Sequence, residues 1–173
     1  MFIGHFAIAF AAKKMDNKPS PGTTFFSAQW LDLLWPVLLL TGTESAVIAP
    51  EGSKIPLEFT NYPISHSLLL VLFWALLFGL LYYFIKRNVK AAMLIGLLVM
   101  SHWLLDLLVH VPDLPLLLSG DIKPGLGLWN YKIIELAVEL GLFAVGVMLY
   151  LKSTKTKNRS GKMIAWSLII FYW

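Results

Sequence analysis

Apolar positions run along this chain in long unbroken blocks, not in the alternating or one-faced patterns of a water-soluble fold. Residues 65–85 (SHSLLLVLFWALLFGLLYYFI), 91–111 (AAMLIGLLVMSHWLLDLLVHV) and 133–151 are each close to the length of about 20 residues that crosses a bilayer as a helix. Residues 25–40 form a shorter run that contains Asp32 and Pro36, which reads as a span supported by its neighbours or as a re-entrant segment. The opening stretch MFIGHFAIAFAAKK carries its charges after its apolar part, the reverse of a signal peptide, and predicts a short retained helix. A final apolar run at 163–173 is too short to span and reads as the start of a further helix. Turn-forming loops at 17–22, 41–63 and 112–130 separate the runs. The pattern predicts an all-α fold: one polytopic transmembrane bundle over residues 1–173, with about four to five membrane helices and a short N-terminal helix.

Composition supports the membrane reading. The 173 residues are 58% hydrophobic and 14% charged, against roughly 45 to 50% apolar residues in an ordinary soluble domain. The net charge of +4 does not point to nucleic acid, because the cations sit in loops between apolar runs, where membrane topology accounts for them. Cysteine is absent. Disulfides, thiolate zinc sites and cysteine nucleophiles are therefore excluded, and any metal is held by nitrogen and oxygen.

The cations also orient the bundle. Lys86, Arg87 and Lys90 fill one short loop, and Lys152, Lys155, Lys157, Arg159 and Lys162 another, while 41–63 and 112–131 are poor in Lys and Arg. By the positive-inside rule the two basic loops are cytoplasmic, and Lys13, Lys14 and Lys18 extend the rule to the first loop. His66, Asp106, His110, Glu135 and Glu139 then all fall toward the outer ends of their helices. His102 lies somewhat deeper, His5 toward the outer side, and Asp32 near mid-depth. The polar residues played no part in orienting the helices, so their convergence argues for one site in the outer half of the bundle.

An ionisable group in hydrocarbon costs a few kcal/mol even on lenient scales, so such residues face a bundle interior and mark a site. All of those here are metal-ligand types. His102 and Asp106 are four apart, with His110 four further, so one helix face presents imidazole, carboxylate and imidazole in a row. Glu135 and Glu139 repeat the spacing, and His66 opens a helix just before Ser67. Imidazole and carboxylate suit zinc, with manganese or iron also open. Simpler readings exist for several of these residues: His5 as a helix-end residue, His66 as a helix-cap residue, and His102 with Asp106 as a structural pair. Asp113, Glu44, Glu51 and Glu58 read as solvated loop residues, and Trp129, Tyr131, Tyr82 and Tyr83 as interfacial anchors.

The ordered set of Gly4-His5, a carboxylate before a proline (Asp32 to Pro36), His66-Ser67, and SHWLLD from Ser101 to Asp106 resembles the YdjM-type family of membrane-bound metal-dependent hydrolases. That family is itself similar to the all-α zinc-dependent phospholipase C and P1 nuclease group. The resemblance covers about the first two thirds of the chain. It implies one zinc held by Asp32, His66, His102 and Asp106, and a second held by His5, the bridging Asp106 and the amine of Met1 where that amine is free. The HxxxE motif of a third zinc has no match, because Glu135 and Glu139 lack the histidine four residues earlier, although His110 could partly substitute.

Together these readings lead to the expectation of a membrane-bound hydrolase in the inner membrane of a prokaryote, with its active site toward the outer face. It would hold one or two divalent ions and cleave a phosphoester of a lipid or lipid-linked substrate through a water of lowered pKa. Metal ligands are His5, Asp32, His66, His102, Asp106 and His110. Catalytic candidates are Asp32, to orient or deprotonate the water, and Glu135 or Glu139, to hold a second ion or act as base. Two alternatives are a transporter, which would need polar groups toward both faces, and a scaffold with a closed structural metal.

Overall fold

The computed structural model describes residues 1–53 and 55–155. The terminal run at 163–173 and the cations Lys157, Arg159 and Lys162 lie outside the described residues. Helix α1 (Phe2–Met15) comes first and carries Lys13 and Lys14 in its last turn. The Lys13 ammonium donates to the carbonyls of Asn17 and Pro19, which ties down the turn that follows. Helix α2 (Pro21–Ala28) starts where Ser20 accepts from the Thr23 amide and Pro21 occupies the first turn, a favoured combination for a helix start. A break at Gln29 bends the chain by 54° into α3 (Trp30–Leu40). The 25–40 run is thus two helices meeting at an angle, not one segment.

The loop at 41–63 contains an antiparallel hairpin, β1 (Ser45–Ile48) with β2 (Leu57–Asn61), in which Ala46 faces Phe59 and Ile48 faces Leu57. The hydrophobic pattern does not reveal it, because its residues are mixed and largely exposed. A four-residue helix, α4 (Pro63–His66), follows. Ser67 is extended and caps α5 (Leu68–Lys86) by accepting from the Leu70 amide. His66 therefore closes a short helix and does not open the long one. Arg87, in the left-handed region at φ 50°, and Asn88, which caps the next helix, turn the chain into α6 (Val89–Val109). A loop and a 3-10 turn (Leu128–Asn130) lead to α7 (Lys132–Ser153).

Three helices, α5, α6 and α7, are long and apolar enough to cross a membrane, and the bent pair of α2 and α3 makes a fourth if counted as one span. The four to five expected spans thus become three or four among the described residues. Of the three, α6 is the enclosed one, with 56% of its apolar window buried against 6% in α5 and 17% in α7. Large apolar side chains such as Leu72, Phe73, Leu76 and Phe84 project outward from α5, a surface that suits hydrocarbon better than water. Close backbone approach holds the helices together. A Cβ on Gly96 would stand 2.8 Å from the Ala75 carbonyl oxygen, and one on Gly146 would run into the Ala7 carbonyl. Glycine at these two positions lets α6 lie against α5 and α7 against α1, the kind of small-residue contact by which membrane helices associate.

This packing sets the polar residues at one end of the bundle. His66 precedes α5, Asp106 lies in the last turn of α6 and Glu135 in the first turn of α7, so all three are remote from the Arg87 turn and from Lys152.

Candidate metal centre

Four elements deliver the ligands. His5 comes from α1, Asp32 from the first turn of α3, His66 from α4, and His102 with Asp106 from successive turns of α6. His102 Nε2 lies 3.2 Å from Asp106 Oδ2 and 3.5 Å from Asp32 Oδ1. His66 Nε2 lies 3.8 Å from each of Asp32 Oδ1 and Asp106 Oδ2. On the other side of the Asp106 carboxylate, Oδ1 is 3.2 Å from His5 Nε2 and 3.0 Å from the Met1 amine. Two trios can converge on an ion: His5, Asp32 and His102, and His66, His102 and Asp106. Two donor atoms each 2.0 to 2.1 Å from a tetrahedral ion stand about 3.3 Å apart, close to the spacings found here.

Proton accounting favours a cation at this point. His102 Nδ1 is 2.7 Å from the carbonyl oxygen of Ala28, which can only accept, so Nδ1 carries a hydrogen and, in the neutral ring, Nε2 turns a lone pair toward the carboxylates. His102 Nε2 and both ring nitrogens of His5 are buried with no hydrogen-bond partner among the described residues. Lone pairs facing carboxylates in a buried cluster repel one another unless a cation, a proton or a metal, lies between them. The residues fit a divalent ion bound by nitrogen and oxygen.

Asp106 is enclosed, with 3% of its side chain exposed, while Asp32 keeps 33% and opens into a cavity of about 280 Å³. Besides Asp32, His66 and Asp106, that cavity is lined by His110, Glu135 and Glu139 and walled by Trp35, Phe59 and Trp129. The structure therefore brings all the expected site residues to one place, with His5 and His102 buried beside the cavity lining. Glu139 is buried and accepts from the Ile3 amide at 3.3 Å. His110 differs from expectation. Helix α6 stops at Val109 and His110 is extended, so it does not continue the face of His102 and Asp106. Its Nδ1 lies 2.9 Å from Asp113 Oδ1, and its ring stands 4.2 Å from that of Trp129. It lines the cavity but belongs to neither trio.

Several participants escape sequence reasoning. Asp113 pairs with His110 and is not simply a solvated loop residue; its position three residues on, after Pro112, was the available signal. Trp129 walls the cavity, stacked with Phe59, where an interfacial anchor was expected. Tyr62 is buried with its hydroxyl 3.4 Å from His110 Nδ1, and burial, with Asp113 and Asp106 nearby, pushes its phenol well above the ordinary value. Glu44 is 2% exposed and fully engaged, with nothing in its polar sequence neighbourhood to single it out.

No family model, no curated protein and no solved structure matches this chain.

Proposed function

We propose that this protein is a membrane-embedded, divalent-metal-dependent hydrolase that cleaves a phosphoester of a lipid or lipid-linked substrate. The observation that carries the reading is the meeting of His66, His102, Asp32 and Asp106 at ligand spacing beside a cavity with room for a reacting group. The resemblance to YdjM-type hydrolases supplies the reaction class. A divalent ion, zinc by ligand type, would supply Lewis acidity toward a phosphoryl oxygen and lower the pKa of a coordinated water.

The chain's own residues divide the remaining work. His102 and Asp106 form the buried anchor, and His5 supports Asp106 from behind. Asp32 is the more open carboxylate and is placed to orient the attacking water or accept its proton. Glu135 and Glu139 face the same cavity and serve as a second base or as ligands for a second ion. With the Arg87 turn in the cytoplasm of a prokaryotic cell, the site opens toward the outer leaflet, at the depth of a lipid headgroup.

The cavity beside the ligands favours catalysis over a closed structural ion, which would leave no open position. Metal analysis of detergent-purified protein, coupled to a phosphoester hydrolysis screen, tests the proposal. Near-stoichiometric metal with hydrolysis lost on chelation is the expected result. Metal without hydrolysis of any phosphoester would leave a structural centre, and a wild-type protein purified without chelator that holds no metal would overturn the reading.

A further inference from the structure

The hairpin loop contributes a buried carboxylate that nothing so far requires. Glu44 Oε1 accepts from the backbone amides of Ile64 and Ser65, at 2.6 and 2.8 Å. Its other oxygen, Oε2, lies 2.6 Å from Ser65 Oγ, and Ser65 Oγ lies 2.7 Å from His66 Nδ1. Glu44, Ser65 and His66 are all buried.

Hydrogen counting along this chain has one solution. A carboxylate only accepts, so the single Ser65 hydroxyl hydrogen points to Glu44; its alternative, the Tyr62 carbonyl at 3.4 Å, is also only an acceptor. Ser65 Oγ is thereby left as the acceptor for His66. Nδ1 of His66 must carry a hydrogen and donate it, so in the neutral ring Nε2 is the lone pair turned toward Asp32 and Asp106. His102 reaches the same state through one carbonyl. His66, on a four-residue helix, reaches it through two side chains.

We infer that Glu44 and Ser65 are positioning residues that hold His66 in the tautomer able to bind a metal ion. The inference rests on the metal reading above for its purpose, although the tautomer itself does not. Outer partners of this kind fix ring orientation and typically change metal affinity by about 10- to 100-fold when removed.

Glu44→Gln is the discriminating variant, because it keeps shape and reverses hydrogen-bond polarity. The Gln carbonyl must remain on the Ile64 and Ser65 amides, since its NH2 there would meet two donors. The NH2 then donates to Ser65 Oγ, whose hydrogen turns to His66 Nδ1 at 2.7 Å, not to the more distant Tyr62 carbonyl. His66 is forced to carry its hydrogen on Nε2, facing the site.

Long-range proton–nitrogen NMR on metal-free protein with 15N-labelled histidine reads the tautomer directly, and with four histidines in the chain a His66→Gln spectrum identifies the resonance. The expected result is Nδ1–H in the wild type and Nε2–H in Glu44→Gln, with zinc affinity about 10- to 100-fold weaker in the variant. In a Ser65→Ala background, adding Glu44→Gln should change neither tautomer nor affinity, an uncoupling that a purely structural Glu44 would not show. Nε2–H in the wild type, or an unchanged tautomer in Glu44→Gln, overturns the inference. If Glu44→Gln does not fold, loss of the defined Nδ1–H state in Ser65→Ala alone supports it, and retention of that state overturns it. Wild-type protein that takes up no zinc would defeat the metal reading, while the tautomer measurement would still decide the role of Glu44.

Discussion

The imidazole of His5 lies flat on that of His102, with ring centroids 3.5 Å apart and planes 8° from parallel. The two residues are 97 positions apart in sequence, and both are almost completely buried. At that separation the rings cannot both be protonated without strong repulsion, so at least one of the pair is a neutral imidazole, the form that binds metal. The contact also couples helix α1 to the centre on α6.

His102→Ala should strip the protein of its divalent metal. It removes the imidazole shared by both ligand trios and leaves the two carboxylates with His66, at 3.8 Å from each, in place of the closer His102. Elemental analysis after chelator-free purification checks this. Metal content equal to that of the wild type would remove His102 from the ligand set.

Metal binding should weaken as pH falls. Ligating imidazoles must be neutral and carboxylates ionised, so protons compete with the ion for the same atoms. The sign is fixed: affinity rises with pH until the ligands are fully deprotonated and levels off above that. Zinc titrations at stepped pH provide the measurement, and affinity that is flat or increases on acidification would contradict imidazole ligation.

Chelation should lower the melting temperature, because the ion offsets repulsion among buried carboxylates and binds only the folded state. Asp106→Asn should shrink that chelator-dependent shift, since Asp106 faces both His102 and His5. Thermal melts with and without chelator test it. A wild-type melting curve that does not move while metal is shown to leave would separate the ion from the fold.

Gly146→Val should destabilise the bundle, by about 1 to 3 kcal/mol from overpacking. Its added atoms would meet the Ala7 carbonyl and push α1, which carries His5, away from α7. Metal affinity should fall with stability. Gly141→Ala is the control, since a Cβ there meets nothing within 4 Å, and it should be close to neutral in both measurements.

The proposed orientation predicts a labelling pattern. A cysteine at Ser119, exposed in the loop after α6, should react with a membrane-impermeant thiol reagent on intact cells, and one at Lys90, exposed at the start of α6, only after permeabilisation. The native chain has no cysteine to interfere. Reversed labelling would move the site to the inner leaflet and change the accessible substrates without altering the metal chemistry.

Hydrophobic run length alone was enough to locate α5, α6 and α7 to within a few residues, because a spanning helix is a local consequence of about 20 consecutive apolar side chains. The four-residue spacing of His102 and Asp106 likewise implied one helix face, and ligand-type residues in apolar surroundings marked the site. Local pattern could not show where continuity fails. The bend at Gln29, the extended Ser67 and the end of α6 at Val109 depend on caps and on neighbours distant in sequence.

Only the tertiary structure decided that His5 stacks on His102, that Asp32 shares Oδ1 between His66 and His102, that Glu44 is buried against Ser65, and that Asp113 pairs with His110. Periodicity reports which face of an element is apolar, whereas a buried polar group is stable only through the particular partner that satisfies it. Here most of those partners lie on other elements, 105 residues away in the case of Met1 and Asp106 and 136 in that of Ile3 and Glu139, and no repeating pattern in the chain encodes such a pairing.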